Sequence, residues 1–363
     1  MNQLALDPSL TDDPAGATAA QAVRVAEFQP TDVARWDEFV LGCSEATFFH
    51  RAGWKSVIER AFRHRTFFLY AEADGRIEGV LPLAEVDSLL FGHTLTSLPF
   101  CVYGGIAART ERARRALDQA ARALAQKLGV DHLEVRNLVC RHPDWAHNDL
   151  YVTFRKPIDP EVERNLQQVP RKQRAMVRKG IKAGLKGEID AGVERFFALY
   201  ADNVHRHGTP ALPKRYFALL RQTFGEDCRV LTIVDPQGAP VSSVLTFYWR
   251  DEVLPYYAGD ALAGRALAAN DFKYWALMRD GCERGYRVFD YGRSKRGTGS
   301  FDFKKNWGFE PQPLHYEYLL VKAERVAEHN PLNPKYRVFI KLWQRMPLPL
   351  ANLIGPHIVK SLG

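Results

Sequence analysis

The chain has 363 residues, 46% of them hydrophobic and 25% charged, with a formal net charge of +8 and a pI of about 9.2. This is an ordinary globular composition, long enough for two domains, and its basic balance favours a polyanionic partner. The five cysteines (Cys43, Cys101, Cys140, Cys228 and Cys282) are scattered without a CxxC pair, which argues against a disulfide framework or a zinc finger and fits a reducing compartment.

Residues 1–21 are polar and acidic, lack the basic and apolar regions of an export signal, and are expected to be a disordered leader. Arg65–Ala73 reads as a strand, Asp74-Gly75 as a turn and Ile77–Val86 as a second strand. A third begins at Leu95–Pro99 and ends near Tyr103-Gly104-Gly105. An Ala- and Arg-rich helix over Arg109–Leu128 stops at Gly129, and His132–Arg136 follows as a short strand.

The second half repeats this order. Arg229–Asp235, Val241–Trp249 and Val253–Ala258 are expected strands, Ala268–Arg284 a helix stopped by Gly285, and Val288–Tyr291 the next strand. Gly104 corresponds to Gly259 and Leu133 to Val288 at one common offset. Two like-ordered β-β-β-α-β units predict an α/β fold with mixed sheets, built as tandem copies of one domain over residues 22–158 and 159–325. The likeness lies in the pattern, since the side chains barely match.

Between the copies, Arg171–Lys186 (RKQRAMVRKGIKAGLK) carries seven bases and no acid. On helical spacing Arg171, Arg174 and Arg178 share a stripe with Lys182, while Met176, Val177 and Ile181 offer a packing face. Guanidinium groups one turn apart suit successive phosphates, although a solvated face is the plain alternative. Glu194–Val204 is a helix, followed by the turn sequence His205-Arg-His207-Gly-Thr-Pro. His207 has three readings there: a base, a donor to substrate or a turn residue.

The stretch from Val288 to Pro311 combines a short strand, a Gly-rich basic loop and an aromatic, lysine-rich turn. Asp290, Arg293, Lys295, Arg296, Lys304 and Lys305 fall close together beside Gly297 and Gly299, a set that suits phosphate or carboxylate. The regular spacing of Phe301, Phe303, Trp307 and Phe309 separates this stretch from a generic solvated loop. Residues 326–363 form an amphipathic tail. It mixes Lys and Arg with Phe339, Ile340, Leu342, Trp343, Leu350, Leu353 and Ile354, and Pro347 and Pro349 break it in two. It suits a membrane surface or packing on the protein's own core.

The motifs RKQRAMVRKGIKAG, VHRHGTPALPKRYF, YYAGDALAGRALAANDFKYWALM and FDYGRSKRGTGSFDFKKNWGFEP, in that order, resemble the FemAB-like peptidyl and aminoacyl transferases, nearest to the branch associated with exosortase (PEP-CTERM) and exopolysaccharide systems. The resemblance covers roughly Val23–Leu362 and is strongest over Pro170–Pro313. It implies two tandem GNAT-like domains and N-acyl transfer to an amine of a cell-envelope, peptidoglycan or exopolysaccharide precursor. No tightly bound cofactor or metal is implied. The co-substrate is aminoacyl-tRNA or, as in BioF2-like acetyltransferases, an acyl-CoA. Cysteine usage fits a cytoplasmic protein, residues 335–363 suit peripheral contact with the inner face of the membrane or packing on the core, and tRNA is the partner that an aminoacyl-tRNA co-substrate implies.

On this likeness, Tyr256, Tyr257 and Asp260 end the strand where GNAT-like sheets part, with Asp260 taking the amine's proton. Asn270 and Tyr274 lie on the next helix. Asp290 and Arg293 close the cleft, and Lys304 and Lys305 hold a phosphate or stabilise the oxyanion. Cap chemistry for Asp260 and Asn270, and a structural ion pair for Asp290, are the plain alternatives. The Arg/Gln-x-x-Gly-x-Gly/Ala signature of acetyl-CoA enzymes is absent from GDALAGRALAAN, which argues against pantetheine-type CoA binding. Two further readings stay open beside the first: an acyl-CoA enzyme acting on an amino sugar or small amine, and a non-catalytic tRNA- or membrane-binding protein.

Overall fold

The computed structural model describes residues 23–88, 91–326 and 334–361, and the leader expected over residues 1–21 lies outside them. The chain forms two mixed sheets with helices packed on both. The first sheet runs Arg24–Glu27, Thr66–Ala73, Arg76–Ser88, Gly92–Thr96, His132–Asn137, His315–Leu320 and Ala146–Asn148. The second runs Ser294–Lys295, Tyr151–Pro157, Val288–Asp290, Glu252–Asp260, Pro240–Trp249, Cys228–Val234 and Lys186–Asp190. Each has a single parallel pair at its centre, Gly92–Thr96 with His132–Asn137 and Glu252–Asp260 with Val288–Asp290. In each, a crossover helix links that pair: Glu111–Leu128 in the first unit and Ala269–Glu283 in the second. Thr110 caps the first helix, and Gly129 ends it in the left-handed region at φ 61°.

Two strands cross the boundary drawn from sequence at residue 158. Tyr151–Pro157 pairs with Val288–Asp290 in the second sheet, while His315–Leu320 pairs with His132–Asn137 in the first. Each sheet therefore completes itself with a strand from the far side of the chain. Val152 and Phe154 are buried in the second core, and Tyr316 and Tyr318 in the first.

The two units also share one hydrophobic core. Phe48 stacks on Phe247 at 4.4 Å, Trp54 packs on Phe224, and Phe49 meets Tyr256. Large aromatic groups from both units are fully buried at this junction, as in a domain interior. No helix among the described residues is long and apolar enough to cross a membrane.

Candidate functional site

A parallel pair that separates after a few residues leaves a V-shaped gap in a sheet, with backbone groups and side chains facing inward. Both sheets have such a gap, and their contents differ. In the first, the pair holds from Thr94/His132 to Thr96/Glu134. The chain then folds back into its own gap. The Arg136 guanidinium bonds to Glu134 at 2.8 Å and to the carbonyls of Leu98 and Cys101, and the amides of Gly104 and Gly105 both donate to the Arg136 carbonyl. A Cβ on Gly104 would stand 2.4 Å from the Ser97 backbone carbonyl, so glycine permits this close approach. The chain thus folds back over the first gap, and Gly104, Gly105, Arg136 and Asn137 line a cavity beside it.

In the second sheet the pair holds only at Glu252/Val288 and Val253/Phe289, and then opens. Glu252–Asp260 stays with Pro240–Trp249, while the other arm follows Tyr151–Pro157 through Ser294–Lys295. Tyr256 donates to the Phe100 carbonyl at 2.8 Å, and Tyr257 meets the Tyr216 hydroxyl at 3.1 Å. Arg293 comes from the opposite arm. Its guanidinium lies over the Tyr151 ring at 4.6 Å and donates to the Tyr316 hydroxyl at 3.3 Å, and the residue reaches solvent. Burial pushes the phenol of Tyr256 well up, against the pull of the Arg293 cation. Arg293 makes no ion pair with a carboxylate among the described residues, so its charge is available to a ligand.

Asp260 closes this strand and is held from three sides. Its Oδ1 accepts from Lys273 Nζ at 2.9 Å and from Ser242, and Arg206 donates to its carbonyl. Lys273 is fully buried, whereas the Asp260 side chain keeps 28% exposure. No bond to Oδ2 is found among the described residues, which leaves that oxygen free to accept. Gly259 lets the strand press on the helix Glu194–Arg206, since a Cβ there would lie 2.4 Å from Tyr200 N.

Next to this point the helix Ala269–Glu283 begins without a side-chain cap. Ala268 at its N-cap lies in the left-handed region at φ 58°, and the Asp271 carboxylate bonds its own amide in the first turn. The basic helix Arg171–Lys182 packs on it, with Gly180 against Phe272. Arg171 and Arg178 are exposed and Arg174 is half-buried, and none of the three has a side-chain partner among the described residues. In the loop between strand and helix, the amides of Gly264, Arg265, Leu267 and Ala268 all bond within the loop. They are not an open cradle for a pyrophosphate.

The other residues singled out from sequence lie apart from this arrangement. Asp290 is buried, accepting from Tyr103 at 3.0 Å, Thr153 at 3.3 Å and the Gly292 amide at 2.7 Å, with Arg155 at 3.5 Å. Lys304 is buried and donates to the carbonyls of Tyr291, Gly292 and Arg293, tying the loop that presents Arg293. Burial pushes its ammonium down to about 7. Lys305, one residue on, is exposed, as is His207. Asn270 is half-buried, and Tyr274 packs against Tyr291, Phe303 and Trp307. Asp260, Asp290 and Lys305 thus occupy three different environments.

Lys273, Ser242, Tyr103 and Arg155 were missed. A lysine on the apolar face of FKYWALM was the one signal in the sequence for Lys273. A cavity of about 240 Å³ lies where the units meet, lined by Glu45, His50, Tyr103, Arg136, Arg155 and Glu252 among others, with Asp290 directly behind Tyr103 and Arg155. Among the described residues, Cys140, His147 and Glu317 place potential metal-ligating atoms within 4.8 Å of one another. The Glu317 carboxylate already accepts from Asn137, the Arg141 amide and His142.

Residues 168–305, which include the parallel pair of the second sheet and the basic helix, match the family model "Acetyltransferase (GNAT) domain". No curated protein matches the chain in sequence. Among solved structures, FemX is similar with a TM-score of 0.66 and 15% identity, over 81% of this chain and 97% of its own. A tandem GNAT protein from the clavulanic acid biosynthesis pathway has a TM-score of 0.51 and 15% identity, over 82% of this chain and 98% of its own. L-PGS from Bacillus licheniformis has a TM-score of 0.51 and 13% identity, over 88% and 98%. At these identities the likeness concerns the fold, which is the tandem arrangement expected from the sequence pattern and the GNAT-like architecture that the resemblance implied.

Proposed function

We propose that the chain is an N-acyltransferase working in the gap of its second unit, with an aminoacyl group carried on tRNA as donor and an amine of a cell-envelope or exopolysaccharide precursor as acceptor. The observation that carries this is the opened parallel pair beside an uncapped helix start and an acid-free basic helix, all within residues 168–305. The likeness to the exosortase-associated branch supports the choice of acceptor.

In this reading Arg171, Arg174 and Arg178, with the amides at the start of Ala269–Glu283, take the phosphates of the donor. The acceptor nitrogen attacks the acyl carbon, and Asp260 Oδ2 receives its proton as the N–C bond forms. Collapse of the tetrahedral intermediate breaks the donor's C–O ester bond, and the released ribose hydroxyl takes up a proton. Arg293 lies across the gap as the cation for developing negative charge.

A second reading, acyl-CoA as donor, is favoured by the match to the GNAT acetyltransferase domain, while the internally bonded amides from Gly264 to Ala268 favour the first. The deciding experiment incubates the purified protein with charged tRNAs and with CoA thioesters, and identifies trapped products by mass spectrometry. Transfer from tRNA supports the first reading, and transfer only from a thioester overturns it. Arg174→Glu is expected to weaken tRNA binding about tenfold and flatten its salt dependence without a change in unfolding temperature. Unchanged binding would remove the basic helix from the site.

A further inference from the structure

We propose that the C-terminal helix pair, Pro334–Arg345 and Leu348–Val359, is a docking surface for an anionic membrane. One face of the pair packs on the body of the protein. Trp343 is buried and stacks with Phe339 at 5.6 Å, Ile340 lies against Gly208, and Ala351 is buried while Gly355 abuts Ala211. The opposite face is bare. Val338, Leu342 and Leu353 are 64%, 62% and 69% exposed, and Phe339 and Leu350 also stand in solvent. Val338 and Leu342 are one turn apart on the first helix, and Leu350 and Leu353 nearly so on the second. Each helix thus presents exposed apolar side chains on the face turned away from the body, which a soluble surface does not need.

The charge around these side chains selects the occupant. From His329 to Gly363 the chain contains Lys335, Arg337, Lys341, Arg345 and Lys360 and not one aspartate or glutamate. Lys341 and Arg345 are exposed beside Val338 and Leu342. A second copy of the chain would bring these cations against their own counterparts, a like-charge contact that opposes a symmetric dimer. A bilayer of anionic lipids accepts both parts at once, apolar side chains below the headgroups and ammonium or guanidinium groups among the phosphates.

The surface also stands close to the open gap. Gln344 donates to the Arg206 carbonyl, and Arg206 donates to the carbonyl of Asp260. The helix carrying Arg206 is the one against which Gly259 presses. A docked helix pair would therefore hold the gap near the bilayer and favour an acceptor amine on a lipid or lipid-linked precursor. This last step rests on the transferase reading, while the docking does not.

The test is flotation of the full-length protein with two kinds of vesicle, phosphatidylglycerol–phosphatidylethanolamine and phosphatidylcholine alone. Binding is expected to the anionic vesicles only, to fall steeply at about 0.5 M salt, and to drop at least about tenfold in Leu342→Glu/Leu353→Glu. Both positions are exposed, so the double variant should unfold at the wild-type temperature, and turnover on a soluble acceptor should be unchanged. Absence of binding to either vesicle, equal binding to both, or undiminished binding of the double variant would each overturn the proposal. So would a dimer in sedimentation velocity that the double variant dissolves, because a second copy would then be the occupant.

Discussion

Asp260 has a structural duty and a proposed chemical one, and the Lys273 ion pair allows the two to be separated. Lys273 is fully buried, and the carboxylate it pairs with among the described residues is Asp260, at 2.9 Å. Asp260→Asn keeps the shape and leaves a buried ammonium facing a neutral amide. Breaking a buried pair from one side costs about 3–5 kcal/mol. Two features reduce this. The Asp260 side chain keeps 28% exposure, and the Lys273 ammonium lies 4.8 Å from the Tyr274 ring centre, a contact that retains about 1 kcal/mol. The expected loss for Asp260→Asn is therefore about 2–3 kcal/mol, seen as a lower midpoint in urea unfolding. Lys273→Met removes the buried charge, fills the same space, and leaves Asp260 with Ser242 and solvent. Its cost should be under about 1.5 kcal/mol. The double variant should then regain most of the stability lost in Asp260→Asn, because the orphaned charge is gone, and its turnover should stay as low as that of Asp260→Asn. If stability and turnover return together, Asp260 served only to hold Lys273 and the proton-acceptor assignment fails. An Asp260→Asn protein as stable as wild type would show instead that the ion pair carries no weight.

Three further outcomes follow from the packing and charge. Gly259→Ala should cost about 2 kcal/mol, since its Cβ would meet the backbone of Leu199 and Tyr200 rather than a movable side chain; an unchanged unfolding midpoint would mean the strand does not press on that helix. Burial works against a charge on His142, yet hydrogen bonds to Asp118 and Glu317 raise its pKa from 6.5 to about 9. A raised value means the folded protein holds the proton more tightly, so this contribution is complete below pH 6.5 and is lost as pH rises through about 9. With solvent screening it amounts to about 1–2 kcal/mol. Unfolding temperature should fall over that range in wild type and less in His142→Gln, and parallel profiles would exclude this histidine as the cause. Lys304→Met should cost about 2 kcal/mol by leaving three carbonyls unbonded, while Lys305→Ala should leave stability alone; equal effects would contradict the placement of Lys304 as an internal tie.

Most of the architecture was legible because it is local. The strand–turn–strand pattern around Gly75 and Gly238, the helices stopped at Gly129 and Gly285, and the break at Pro347 all depend on residues a few positions apart, and all appear close to where their patterns place them. The exchange of Tyr151–Pro157 and His315–Leu320 was not legible. A strand's own alternation identifies it as a strand, but its partner is chosen by long-range packing that no short window contains. The aromatic spacing after Gly299 was over-read for a related reason. Trp307 and Phe309 are buried and pack on Tyr291, so their periodicity is that of a helix and turn covering a core, and it carries no information about a ligand. Lys304 and Lys305 look equivalent in sequence. One helical step turns the first inward onto three carbonyls and leaves the second in water.

The two copies also show why repetition of a fold does not repeat its chemistry. Both sheets open at the same place, after a short parallel pair, because the crossover geometry is the same. What fills the opening is decided by a handful of residues. In the first copy Gly104 and Gly105 allow the chain to fold back, and Arg136 is spent on Glu134 and two carbonyls, so its charge is internally neutralised. In the second copy the loop after the strand keeps its amides to itself, and Arg293 comes from the other arm without an ion pair to a carboxylate among the described residues. The same scaffold therefore presents one gap braced by an internally paired arginine and one whose arginine has no ion pair with a carboxylate among the described residues. The first copy supplies Phe100, whose carbonyl fixes the Tyr256 hydroxyl, and Tyr316, whose ring and hydroxyl hold Arg293. The first unit thus forms a wall of the second unit's site, and an isolated second unit would lack the groups that orient Tyr256 and Arg293.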